Sequence, residues 1–205
     1  CFERILAHTA NDAEAHYWRG NALLALGRPD EALQAYGNAA QIRPDIPEVH
    51  YNIGNVLLDQ GRAEEGIAAF DQALARRPAF AEALYNRGGA EQELGRYEVA
   101  AATFEHLLTL ASDHRYAIGR LFHCRQFVAN WRRHAEQRSA LVASADGRVR
   151  DIPFPFLAVS DDPAQQLRCA QSYTAAKYPP AATPLCSGQP YAHPLLRLAY
   201  VSADF

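Results

Sequence analysis

The sequence predicts an all-α array, a right-handed superhelix of helical hairpins with capping helices, then a linker and the first strand of an α/β domain. Three observations predict it. Gly20, Gly54 and Gly88 recur 34 residues apart, as do Gly27, Gly61 and Gly95, each followed by an arginine. Tyr36, Phe70 and Phe104 keep the same spacing, and so do Pro44 and Pro78. The closing run Leu196–Phe205, LRLAYVSADF, is of a different kind: its mostly apolar core suits a strand buried on both faces of a parallel sheet.

The period marks out residues 1–112 as repeats: a partial one over 1–12, then full ones starting at 13, 47 and 81. In the partial repeat, Phe2 falls in the aromatic column and Ile5 three residues on, as in the second helix of a hairpin. In the first full repeat, helix A is expected from Ala13 to Leu26 and helix B from Asp30 to Ile42. Gly20 and its equivalents remove a side chain where A and B must come close. Gly27, Gly61 and Gly95 sit where helix A stops, the usual place for a left-handed residue. Tyr36, Phe70 and Phe104 are the large groups that helix B inserts, with Ala32 and Gly66 as small partners. Pro44 and Pro78 end helix B, because proline has no N–H to give and clashes with the preceding turn. The period and these residue types resemble the tetratricopeptide repeat.

Where a third proline is due stands Ser112, and the pattern fades. Residues 113–148 hold two amphipathic segments, His114–Phe127 and Trp131–Val142, read as capping helices over an otherwise open apolar end. Residues 149–194 are read as a Pro-rich connecting region with a turn at Ser160–Pro163 and a helix expected over Gln165–Tyr178. Its later part, KYPPAATPLCSGQPYAHP, has the makings of an extended linker. Residues 195–205 complete the chain as the expected first strand.

One stripe of helix A is polar. Residues at i, i+4, i+7 and i+11 share a face: Glu14, Trp18, Asn21 and Ala25 in repeat one, Glu48, Asn52, Asn55 and Asp59 in repeat two, and Glu82, Asn86, Gly89 and Glu93 in repeat three. Helix A lines the concave side of such solenoids. Asparagine is a poor helix former, but its amide carries a donor and an acceptor together, which suits it to an extended peptide backbone whatever the side chains. Asn52 and Asn86, with Asn21 and Asn55, are therefore the candidate peptide-binding residues; the competing role is solvated surface or bonding to a neighbouring repeat.

Composition excludes other classes. With 20 basic against 23 acidic residues and a net charge of −3, the chain has no basic footprint for nucleic acid. No apolar run approaches the ~18 residues of a membrane span. Cys1, Cys124, Cys169 and Cys186 make no CxxC pair, which suits reduced thiols and a cytoplasmic location. The eight histidines form no metal motif; His16 and His50 share a helix A packing column. His123 and Cys124 point to different helix faces, and Asp161–Asp162 before Pro163 reads as a turn or helix cap. No catalytic or metal-binding residue is expected within the chain.

The layout as a whole, with Arg197, Leu198, Tyr200, Val201, Ser202, Asp204 and Phe205, resembles the protein O-linked N-acetylglucosamine transferases, especially bacterial ones. YAIGRLFHCRQFVANW, ending at Trp131, and IPFPFLAVSDDPAQQLRCAQSY are similar to the segments that join repeats to catalytic lobes there. The resemblance implies a GT-B type glycosyltransferase domain beginning at the last strand and transfer of N-acetylglucosamine from UDP-GlcNAc to Ser or Thr of proteins, with no required metal or cofactor. The donor would be held by residues outside this chain, so this segment alone is expected to be inactive. It also implies that the solenoid guides protein substrates along an asparagine ladder, here Asn52 and Asn86, interrupted at Trp18. Two other functions compete: an interaction scaffold without catalysis, and a protein O-fucosyltransferase of the same architecture.

Overall fold

The computed structural model describes residues 11–114, 116–131, 133–142 and 153–177. These residues are helical throughout. Three hairpins come first: α1 (Ala13–Ala25) with α2 (Pro29–Ile42), α3 (Pro47–Asp59) with α4 (Ala63–Arg76), and α5 (Ala81–Glu93) with α6 (Tyr97–Leu110). Then come α7 (Ala117–Phe127), α8 (His134–Val142), a single turn α9 (Pro153–Phe156) and α10 (Pro163–Lys177). The partial repeat over residues 1–10 and the expected strand over 195–205 lie outside the described residues, as does the linker from residue 178.

Each column of the repeat has a physical cause in the fold. Tyr36, Phe70 and Phe104 are fully buried. A Cβ placed on Gly20 would lie 2.5 Å from the Tyr36 ring, one on Gly54 2.5 Å from Phe70, and one on Gly88 2.8 Å from Phe104. The glycine is therefore the socket for the aromatic of the same hairpin, and neither column works without the other. Gly66 makes a second close approach, with its missing Cβ 3.2 Å from the Gly54 carbonyl.

The turns from A to B are built alike. Gly27, Gly61 and Gly95 have φ of 69°, 73° and 72°. Around the first, Arg28 N–H donates to Leu23 O at 2.9 Å and Gly27 N–H to Leu24 O at 2.9 Å. This pair of bonds satisfies carbonyls that the helix end would otherwise leave open. The arginines after these glycines sit at the start of helix B, where Arg28 grips Glu31 through two bonds of 2.6 and 2.7 Å and Arg62 grips Glu65 likewise. Both pairs are exposed and screened by solvent, so they add little to stability. Helix B starts one residue earlier than expected in the first hairpin, because Pro29 has its φ set for a first helical position.

Past Leu110 the register survives while its chemistry reverses. Thirty-four residues after Gly95 stands Ala129, which keeps the left-handed backbone at φ 52° and the same bonds, Asn130 N–H to Arg125 O and Ala129 N–H to Gln126 O. The next member of the socket column is Phe122, and the next member of the aromatic column is Arg138. The bulk thus comes from the other helix. Phe122 packs with Leu141, Phe156, Val159 and Cys169 in a separate small core shared by α7–α10. Arg138 donates through Nε to the Val159 carbonyl at 2.7 Å. Two helix starts fall three residues later than expected, at Ala117 and His134, where Tyr116 (φ 68°) and Arg133 (φ 57°) turn the chain first.

Part of the region read as connecting is therefore folded. Helix α10 runs 15 residues, and its buried Cys169 joins the core beneath Phe122. At its start the Asp162 carboxylate accepts from Ala164 N–H at 2.9 Å, the capping use expected of Asp161–Asp162.

Candidate peptide-binding face

Successive A helices touch through their asparagines. Asn52 Nδ2 donates to Asn21 Oδ1 at 3.2 Å and lies 3.4 Å from the Tyr17 hydroxyl. One repeat on, Asn86 Nδ2 donates to Asn55 Oδ1 at 2.7 Å and to the Tyr51 hydroxyl at 3.2 Å. The four candidate residues are thus brought together as two equivalent pairs, each joining neighbouring hairpins. The competing role named above, bonding to a neighbouring repeat, therefore takes up the Asn52 and Asn86 amino groups. Their carbonyl oxygens, and the amino groups of Asn21 and Asn55, make no hydrogen bond among the described residues. All four side chains are half-buried.

The first pair is more tightly held. Tyr36 donates its hydroxyl to Asn21 Oδ1 at 2.6 Å, a bond that Phe70 cannot repeat in the next hairpin. Burial first, and the Tyr17 phenol second, push the Tyr36 hydroxyl up to about 12, so it stays a proton donor throughout the ordinary pH range.

Trp18 stands in repeat one where the later repeats have Asn52 and Asn86. It is 53% exposed and stands edge-on to Tyr17 at 5.2 Å. The two rings border a cleft of about 270 Å³ between the first two hairpins, closed by Glu14, Arg43, Ile46 and Glu48. Its charges are partly spent: Glu14 lies 3.9 Å from Arg43, and Glu48 is paired with Arg77. Glu48 is held below its ordinary value by the Arg77 guanidinium, against the opposing effect of desolvation. A larger cleft, about 510 Å³, opens between α6, α7 and α8, away from the asparagines. Its charged lining is paired internally, Arg125 with Glu105 and Arg133 with Glu136.

The ladder column has a fourth member that sequence inspection passed over. Arg120 follows Asn86 by 34 residues, and the same arithmetic that found the glycines would have found it. It stands to Tyr85 and Gly89 as Asn86 stands to Tyr51 and Asn55. Gly89 offers no side-chain carbonyl, so the guanidinium passes over it, 3.8 Å from where a Cβ would be, and donates to Gln92 Oε1 at 2.9 Å.

His50 bonds the Pro44 carbonyl at 3.0 Å, and His16 is half-buried in the matching place. Burial pushes the Cys124 thiol up to about 11, so no thiolate nucleophile exists there near neutral pH. Among the described residues no group of three or more His, Cys, Asp or Glu is placed to hold a metal ion. Among them, too, no helix is long and apolar enough to cross a membrane.

Comparison with known proteins agrees with this construction. Residues 20–61 match the family described as TPR repeat, and residues 1–34 and 51–115 match families described as tetratricopeptide repeat. No curated protein matches the chain. Among solved structures it is similar to the MamA protein (TM-score 0.61, 16% identity, covering 89% of this chain and 85% of that one). It is also similar to YrrB, described as a TPR protein with an unusual peptide-binding site (TM-score 0.60, 15% identity, 83% and 80% covered). A third is the first TPR of Spaghetti (RPAP3) bound to an HSP90 peptide (TM-score 0.55, 23% identity, 57% and 93% covered). At these identities the likeness shows the fold. With the 34-residue columns, the left-handed glycines and these matches in hand, the helical array of this chain belongs to the tetratricopeptide-repeat family.

Proposed function

We propose that the A-helix face binds an extended stretch of a partner protein by its backbone. The observation that supports this reading is the repeated asparagine pair. In each pair one amino group and one carbonyl lock neighbouring hairpins together. The other carbonyl and the other amino group remain for a ligand. A peptide backbone presents the same alternation of donor and acceptor, so two equivalent pairs one repeat apart match successive stretches of one chain. One similar solved structure holds a peptide and another is described as having a peptide-binding site, which favours a polypeptide as the ligand.

The double substitution Asn52→Ala and Asn86→Ala tests it. Capture of an unstructured polypeptide should weaken at least about tenfold, as expected for losing two or more ligand hydrogen bonds. Helicity should be retained, with modest loss of stability from the missing inter-hairpin bonds. Unchanged affinity at wild-type helicity would remove the ladder from the binding site.

In the parent protein we assign this face to substrate recruitment for a cytoplasmic protein O-glycosyltransferase that uses UDP-GlcNAc and no cofactor. Support comes from the sequence Arg197–Phe205 and from the order of the segments. A plain scaffold rests on the repeats alone, and O-fucosyl transfer shares the same layout. Incubating the full-length protein with UDP-GlcNAc or GDP-fucose and an acceptor protein separates the three. Transfer from UDP-GlcNAc is expected, transfer only from GDP-fucose would change the donor, and no transfer from either would leave the scaffold.

A further inference from the structure

We infer that the cleft beside Trp18 seats a proline ring of the bound polypeptide, about three residues along from the backbone held by Asn52. This deepens the backbone-binding reading and rests on it. Trp18 occupies the Asn52 and Asn86 column in the first hairpin, and Tyr17 joins the cleft to the ladder, with its hydroxyl 3.4 Å from Asn52 Nδ2. The cleft is therefore continuous with the amides that would grip the ligand.

Its chemistry selects an uncharged ring. Tyr17 and Trp18 meet at 71° and form an apolar corner, with Ile46 as its third wall. The charged rim is already answered, Glu14 by Arg43 and Glu48 by Arg77, so a charged side chain would have to compete with those pairs. The volume of about 270 Å³ suits one side chain and is small for a free small molecule. Trp18 also differs from asparagine in what it can bond. Its indole carries a donor and no acceptor, and that N–H makes no hydrogen bond among the described residues. A proline residue offers the complement, a carbonyl and no N–H. At Asn52 and Asn86, by contrast, a side-chain carbonyl waits for a donor that proline lacks.

Spacing supports the same ligand. Packed helices lie about 8–10 Å apart, and Asn52 bonded to Asn21 shows that successive A helices are packed. A polyproline II strand has about three residues and about 9 Å per turn, with its backbone fully open to partners. Residues three apart on such a strand thus face Trp18, Asn52 and Asn86 in succession. Amides alone do not tell one stretch of backbone from the next, so the proline seat sets the register.

The test uses the 205-residue chain and fluorescence anisotropy of amidated peptides built on one Ser/Thr/Ala/Gln sequence. Twins carry a single Pro, Ala or Lys at the central position. Wild type should bind the Pro peptide about tenfold more tightly than its Ala twin, as burial of one small apolar ring requires. Trp18→Asn should bring the Pro and Ala twins within about twofold of each other, while Trp18→Phe keeps part of the preference. Asn52→Ala with Asn86→Ala should weaken all the peptides and leave the Pro-to-Ala ratio standing. A Pro preference that survives Trp18→Asn reports only a stiffer free peptide and overturns the seat. Equal binding of the Pro and Ala twins, or a Lys peptide that outbinds Pro, also overturns it, and each leaves the backbone ladder in place. Failure of wild type to bind any of the peptides overturns both.

Discussion

Replacing Gly54 with leucine (Gly54→Leu) is expected to destabilise the array by about 3 kcal/mol, the upper part of the range for overpacking. The new Cβ would start 2.5 Å from the Phe70 ring, and that ring is fully buried in a socket with no room to retreat. The hairpin must then open or the ring must leave its well. Thermal unfolding followed by far-ultraviolet circular dichroism reads the effect as a lower Tm. The specific check is rescue: Gly54→Ala combined with Phe70→Leu should be more stable than Gly54→Ala alone, because the smaller plug vacates the space. If Gly54→Leu melts with the wild type, the pairing of glycine and aromatic columns is wrong.

The second large effect is expected at Glu91, which is 2% exposed. Its carboxylate receives Arg87 and Thr103, while Arg87 also reaches Asp71 at 2.7 Å. Glu91→Ala leaves a largely buried guanidinium and hydroxyl without their central acceptor. The expected cost is about 3 kcal/mol, the low end for breaking a buried pair, because Asp71 still holds one side of Arg87. Glu91→Gln keeps an acceptor and should cost much less at neutral pH.

The same residue gives a pH signature. Desolvation, outweighing Thr103 and Arg87, raises the Glu91 carboxyl above its ordinary 4.5. A carboxyl raised on folding binds its proton more tightly in the native state, so its stabilising contribution is complete below 4.5 and lost as pH rises through the higher native value. The stability of wild type relative to Glu91→Gln should therefore grow as pH falls into that window. Chemical denaturation of both proteins at several pH values measures it; a gap that narrows on acidification would contradict the raised carboxyl.

Much of this molecule is legible in its residue spacing because a solenoid writes each contact several times. Gly20–Tyr36, Gly54–Phe70 and Gly88–Phe104 are one contact seen thrice, and repetition separates a packing rule from chance. The turn glycines are legible for the same reason. Local signals suffice for Asp162 as a cap, and the expected start of α10 lies within two residues of the observed one.

What is not legible depends on contacts made once. Phe122, Leu141, Phe156, Val159 and Cys169 come from four segments with no shared spacing, so their joint core has no signature in the sequence. The candidate site is half legible. Spacing puts Asn52 and Asn86 on one face with Asn21 and Asn55, but the partner of each amide depends on how adjacent hairpins are offset. That offset sends the Asn52 and Asn86 amino groups backwards along the array. Arg120 escapes notice for a different reason. Its helix has lost the glycine and aromatic columns, so nothing in the pattern there signals that the polar stripe continues.

The exchange of Gly for Phe122 and of the aromatic for Arg138 makes growth of this molecule one-sided. A 34-residue unit carries its own socket and plug, so a duplicate placed before α7 meets neighbours of its own kind. After α8 it would instead meet a pair whose Phe122 and Arg138 are already committed to the core and the Val159 carbonyl beside α9 and α10. Whole units therefore fit upstream with the contacts already present, and α7 with α8 stays in place as the fixed foundation on which the coil is counted.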